Sequence, residues 1–219
     1  MKARRSAALI AAIALVAMTS ISCSGAKPRI VFGYIGLVYY QESGGPKERF
    51  SFFVLPEDDD GIENLSDLYL YHDREQLRWH IGSDEWISYN QDGRIWIGTR
   101  AIAVADGETL PRGQFRAVLV NMGGESTERN FTFDAPEAPR FPFPTLTIAD
   151  GNFTVASRYP VNRLVVYDAQ GGFLGMVELS DLSGPVSGIG IPAGGSLAAL
   201  WAEDSLRFTS AFTDAVPIR

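Results

Sequence analysis

Reactive side chains at workable spacing are scarce in this 219-residue chain. Cys23 is the only thiol, so no disulfide can close inside the chain. His72 and His80 are the only imidazoles. Without a second group of Cys or His they fall short of an ordinary zinc ligand set, and both are expected at the surface. His80 has the opposite parity to Leu77, Trp79 and Ile81, which assigns it to the solvent face of its strand. The acidic run Glu57 to Asp60 invites a calcium reading. Aligning Asp58, Asp60, Gly61 and Asp67 with a helix-loop-helix calcium loop, however, puts Pro56 at the first ligand position, where no side-chain oxygen is available. A shallower set of Asp58, Asp60 and Glu63 stays open beside the plainer reading of a solvated turn. The mature chain carries no nucleophile elbow, metalloprotease helix, Walker lysine loop or dinucleotide fingerprint, and Gly188-Ile189-Gly190-Ile191-Pro192 lacks a third glycine in register. No catalytic, cofactor-binding or metal-binding residue is assigned, and a non-enzymatic protein without cofactor is expected.

The residual signal is aromatic. Tyr69, Tyr71, Trp79, Trp86, Tyr89 and Trp96 crowd one stretch. Parity assigns Trp79 to the core with Leu77 and Ile81, whereas Tyr69 and Tyr71 alternate with Leu68 and Leu70, and Trp96 with Ile95 and Ile97. Tyr69, Tyr71 and Trp96 are therefore the candidate contact residues, able to stack on sugar rings or anchor a protein partner. The alternative is that a loop, a neighbouring domain or a second layer covers them.

What delivers such a surface to its place of work is written at the N-terminus. Lys2, Arg4 and Arg5 precede an apolar stretch from Ala7 to Met18, followed by Ser20-Ile21-Ser22-Cys23. The stretch is shorter than the roughly 20 residues of a membrane-spanning helix and has the layout of an export signal. It resembles a bacterial lipoprotein signal, with relaxed small residues before the cysteine similar to those of spirochaetes. The resemblance implies cleavage between Ser22 and Cys23, a diacylglyceryl group on the Cys23 thiol and acylation of the new amine, which together give stable anchoring. An ordinary secretory signal cleaved nearby is the other reading. Ser24 in place of Asp favours the outer membrane where enteric-type sorting applies. The expected location is the cell envelope, with the membrane reached through the lipid anchor.

Three of the 19 Lys+Arg lie in this leader and none of the 26 Asp+Glu, so the mature chain carries 16 basic against 26 acidic side chains, a net charge of −10. That sign disfavours nucleic acid and anionic lipid surfaces, both of which need clustered cations.

After the leader, short runs rich in Val, Ile, Phe, Tyr and Thr alternate with Gly, Asp, Asn and Pro, and no sustained helical stripe appears. The expectation is an all-β chain. Predicted strands are Ile30–Tyr40, Arg49–Leu55, Leu68–His72, Gln76–Ile81, Trp86–Tyr89, Arg94–Thr99, Gln114–Asn121 and Thr127–Phe133, followed by Leu146–Ile148, Phe153–Ala156, Arg163–Tyr167, Phe173–Val177, Val186–Ile191, Leu197–Trp201 and Arg207–Phe212. Pro136, Pro139, Pro142 and Pro144 favour extended backbone and suggest a stiff linker. The expected organisation is a signal peptide over 1–22, a tether over 23–29, a β-sandwich over 30–135, a linker over 136–144 and a second, smaller sandwich over 145–219.

Asp58-Asp59-Asp60-Gly61-Ile62 before Leu68-Tyr69-Leu70-Tyr71, and Pro111-Arg112-Gly113-Gln114-Phe115-Arg116-Ala117-Val118, resemble turns and strands of immunoglobulin-like and fibronectin-type-III-like modules of bacterial surface proteins. Phe115 takes the place of the tyrosine that ties the corner in such modules, so that hydroxyl is missing. Leu164-Val165-Val166-Tyr167-Asp168 followed by Gly171-Gly172 is similar to a strand and turn of the same kind. The resemblance implies two antiparallel sandwiches in tandem on a lipid anchor. It suggests an interaction, scaffolding or adhesion module with a protein or glycan partner. A carbohydrate-binding module with an exposed aromatic platform, and an enzyme or inhibitor with its residues on loops, are the alternatives.

Overall fold

The computed structural model describes residues 26–42, 45–105, 109–136 and 139–218. The leader and Cys23 lie outside these residues, as do 137 and 138 of the proline-rich segment. No helix among the described residues is long and apolar enough to cross a membrane.

The chain is all-β. Its strands are β1 (Arg29–Tyr40), β2 (Lys47–Glu57), β3 (Leu65–His72), β4 (Leu77–Gly82), β5 (Ile87–Gln91), β6 (Arg94–Ile102), β7 (Gly113–Asn121), β8 (Ser126–Phe133), β9 (Thr145–Ala149), β10 (Asn152–Ala156), β11 (Val161–Tyr167), β12 (Phe173–Glu178), β13 (Ser183–Pro185), β14 (Leu197–Asp204), β15 (Thr209–Phe212) and β16 (Val216–Pro217). They form three sheets. Nine strands make the largest, in the order β12-β11-β14-β15-β1-β2-β6-β5 with β16 added beside β14. The second sheet is β4-β3-β7-β8 and the third β13-β10-β9.

Alternation explains how the sheets face each other. Leu68, Leu70, Phe115, Ala117 and Leu119 of the four-stranded sheet are buried against Phe50, Phe52 and Val54 of β2. The Phe50 ring meets Phe115 at 5.4 Å and Phe133 at 4.8 Å, both edge to face. Leu146, Phe153 and Val155 of the three-stranded sheet belong to the same buried cluster as Leu164, Val166, Ala198 and Leu200 of the large sheet. Close packing of β6 on β2 requires a glycine at position 98, where a Cβ would collide with the Phe52 carbonyl oxygen.

The four-stranded sheet is built wholly from strands before the proline-rich segment and the three-stranded sheet wholly from strands after it, whereas the nine-stranded sheet takes strands from both sides. β15 pairs with β1 in parallel, Leu37 opposite Thr209 through Tyr40 opposite Phe212, and one buried cluster runs through both sets. The Leu37 amide also donates to the Phe208 carbonyl at 2.7 Å.

Three local expectations need correction. Val186–Ile191 is not a strand but a 3-10 turn over Val186–Gly188 followed by Gly190 at positive φ, before Pro192 removes a further backbone donor. The last long strand starts at Thr209 rather than Arg207, because Ser205–Arg207 form a 3-10 turn and Phe208 is left-handed at φ 52°. His72 is not at the surface: it shares the inward parity of Leu68 and Leu70 and is 2% exposed. Its ring packs on Phe115 at 4.8 Å, its Nε2 lies 3.1 Å from the Arg112 carbonyl and its Nδ1 accepts from the Glu75 amide.

Candidate functional site

The sequence-derived aromatic residues fall on two different sheets. Tyr69 and Tyr71 lie on β3, on the outer face of the four-stranded sheet, and their ring centroids are 6.1 Å apart. Both are half-buried, with cationic and aromatic neighbours against their rings: His80 stacks on Tyr69 at 4.7 Å, Arg78 lies over Tyr69 at 5.2 Å and Arg116 over Tyr71 at 4.5 Å. Ion pairs and a hydrogen bond tie this layer together: Arg116 pairs with Asp73 and Glu128, and His80 Nε2 lies 2.6 Å from Asp67 Oδ1. The His80 hydrogen bond, reinforced by Ser66, holds the Asp67 carboxyl below its ordinary value. Trp79 points inward as its parity requires, tilted against Phe115, with Nε1 donating to the Ala103 carbonyl at 2.8 Å.

Trp96 sits on β6 of the large sheet, opposite Tyr89 of β5, with the two rings parallel within 6°. Tyr34 packs against both Trp96 and Phe53, and Tyr89 meets Phe53 edge to face at 5.2 Å. The structure therefore separates Trp96 from Tyr69 and Tyr71 and gives it new companions.

These companions belong to a second apolar layer. Val38, Phe53, Leu55, Val165 and Ala199 are buried, yet they alternate with the core residues and are not part of the core cluster. They lie on the opposite face of the nine-stranded sheet, on the same parity as Tyr34 and Tyr40 of β1, Tyr167 of β11 and Trp201 of β14. The sheet curls toward this face: a cavity of about 460 Å³ is lined both by Ile87 and Tyr89 of β5 and by Phe173 and Met176 of β12, the strands at the two ends of the sheet. Tyr40, Phe212 and Trp201 form its floor in adjacent registers across β1, β15 and β14. A neighbouring cavity of about 320 Å³ shares Tyr89, Arg100 and Trp201 and adds polar groups of Ser51, Glu203 and Ser210.

Charge on this face is placed unevenly. Arg49 lies 4.7 Å over the Tyr40 ring and pairs with Glu42. Glu203 is held by Arg163 at 2.8 Å and accepts from Trp201 Nε1 and Ser205. Arg100, exposed between the two cavities, forms no ion pair or side-chain hydrogen bond among the described residues; its guanidinium carbon lies 5.5 Å from the Phe53 ring centroid. Burial pushes the Tyr40, Tyr89 and Tyr167 hydroxyls up in pKa, and the nearby positive charge of Arg100 partly counters it at all three. The hydroxyls therefore stay protonated at neutral pH, as hydrogen-bond donors around one cation.

The acidic turn serves its own backbone. Asp58 Oδ1 accepts from the Asp60 amide at 2.9 Å and from Asn64 Nδ2 at 3.1 Å, the arrangement of an Asx turn. No group of three or more His, Cys, Asp or Glu side chains among the described residues is placed to hold a metal ion.

Neither a protein-family model nor a curated protein matches the sequence. Among solved structures, dimeric latent PorU from Porphyromonas gingivalis is similar over 90% of this chain and 20% of its own, with 13% identity and a TM-score of 0.31. The chain thus spans about a fifth of that protein's length, and likeness at this level carries no inference about activity.

Most of the concave face was missed by parity reasoning centred on β3 and β6. The signal present was the apolar runs Ile35–Tyr40, Phe52–Leu55 and Leu164–Tyr167, which mark strands covered on both faces.

Proposed function

We propose that the chain is a lipid-anchored binding module of a bacterial cell envelope, non-enzymatic, whose working surface is the concave aromatic face of the nine-stranded sheet. The observation that carries this reading is the coincidence of an open cavity of about 460 Å³ with exposed apolar side chains at both rims: Ile87 is 38% exposed, Phe173 62% and Met176 48%. Exposed apolar side chains set around the rim of a concavity suit a surface that a ligand or partner covers. The anchor at Cys23 keeps the module at the membrane while the sheet presents this face. The spirochaete-like signal and the sandwich-like pairing of sheets support a place among envelope lipoproteins with immunoglobulin-like folds, and the outer membrane is the proposed destination.

A photocrosslinking residue placed at Met176 of the full chain, in intact cells, tests the surface. It should capture an envelope component, and Trp201→Ala should abolish capture. The same probe at Tyr71 should capture nothing that depends on Trp201. Capture from position 71 alone moves the working surface to the four-stranded sheet. Cys23→Ala should release the protein from the membrane fraction, and unchanged retention removes the anchor from the reading.

A further inference from the structure

The larger cavity of the concave face has a lining that selects among ligand chemistries. Of its ten lining residues, nine are aliphatic, thioether or aromatic, and the tenth is Arg100. The lining residues that carry polar groups are thus Arg100, Tyr40, Tyr167, Tyr89, whose hydroxyl is hydrogen-bonded with that of Tyr34, and Trp201, whose Nε1 is committed to Glu203. No carboxylate, carboxamide or aliphatic hydroxyl side chain lines it.

Its one charged group is a cation, and its only side-chain acceptors are the three phenol oxygens. A peptide or a sugar brings amides or hydroxyls whose protons need acceptors, and donors buried without partners weaken binding strongly. An apolar chain brings none. A carboxylate brings only acceptors, which suit an unpaired guanidinium flanked by protonated tyrosines. The chain as a whole is acidic, so a cation without an ion partner in the lining of this apolar concavity is out of keeping with the net charge, and it complements an anion.

Resting on the reading of the concave face as the working surface, we propose that this cavity binds a free long-chain carboxylate, with its hydrocarbon along Val165, Phe173, Met176 and Phe212 and its head group on Arg100. The volume lies within the range of small-molecule sites, and the rim residues Ile87 and Phe173 would close over a chain that a flat face would leave in water. Arg100 serves as a charge-assisted hydrogen-bond donor and fixes the orientation of the ligand.

The test uses the chain from Ala26 onward, which contains every strand and the whole buried cluster described above. Dodecanoate below its micellar concentration is titrated against Trp fluorescence and by calorimetry, beside dodecanol, octanoate and a short peptide ending in Phe. Dodecanoate should bind one to one, with octanoate at least tenfold weaker, because buried methylenes supply the affinity. Arg100→Met should weaken dodecanoate at least tenfold and leave dodecanol unchanged, with the unfolding midpoint retained because the exposed side chain has no ion partner. Met176→Asp should weaken both. Equal affinity for acid and alcohol, an unaffected Arg100→Met variant, or tighter binding of the peptide overturns the proposal. Absence of dodecanoate binding while Met176 still crosslinks an envelope component removes only the ligand class; loss of both removes the binding face as well.

Discussion

Tyr40 and Phe212 stand opposite each other in the parallel pairing of β1 with β15, their ring centroids 5.6 Å apart at 64°, and the same two rings line the floor of the larger cavity. One contact thus joins the strands on either side of the proline-rich segment and helps build the concave face. The pair belongs both to the β1–β15 pairing and to the cavity lining, so we expect folding and site formation to be coupled through it.

Cutting the chain in the proline-rich segment tests that coupling. A fragment ending at Ala135 leaves one edge of β1 without its partner, and a fragment starting at Pro139 leaves β15 paired only with β14. The intact chain should unfold in a single denaturant transition, whereas each fragment alone should lose cooperativity and mixing them should restore it. Circular dichroism across a urea series provides the measurement. Two independent cooperative transitions from the isolated fragments would show that each half closes without the other.

The Arg112–Glu48 pair clamps the proline-rich segment to β2. Arg112 donates to both Glu48 oxygens and to the Ala135 and Pro136 carbonyls, with the two side chains only 16% and 9% exposed. Arg112→Met should cost about 3 to 5 kcal/mol, because Glu48 is left buried without its counter-ion. Replacing both residues, with Glu48→Gln added, should recover part of the loss. Urea unfolding of the single and double variants checks both.

The pH dependence has a definite sign at each end. Burial opposes ionisation of Glu203, but Ser205, Trp201 and Arg163 outweigh it and hold its carboxyl below the ordinary 4.5. Its stabilising share is therefore complete above that value and lost as pH falls through the lowered folded value. Glu203→Gln should flatten the decline in urea midpoint between about pH 5 and about pH 3. At the alkaline end, burial, then the charge of Asp204, pushes Tyr159 from 10.0 up to about 12. Its contribution is present below the unfolded value and disappears as pH rises toward the folded one. Tyr159→Phe should reduce the loss of stability across that window, and tyrosine ionisation followed in the ultraviolet reports it.

Much of the strand pattern was legible because alternation and turn residues are local. Trp79, Leu68 and Leu70 face inward as their parity requires, and His80 faces out. His72 misled because residue type suggested surface while its register, in step with Leu70, demanded burial. The pairing of β1 with β15 was illegible: a parallel contact between strands some 170 residues apart leaves no turn or spacing to read. That one unseen pairing also hid the site, since Tyr40 and Trp201 become neighbours in the same sheet only through β15.

The most direct measurement is a map of backbone amide shifts by nuclear magnetic resonance as an envelope lipid and glycan extract is added to the chain from Ala26. Perturbations concentrated on β5, β12, β14 and the second half of β1, and abolished by Trp201→Ala, are the expected result. Perturbations centred on Tyr69 and Tyr71 of β3, with the concave face unmoved, would contradict it.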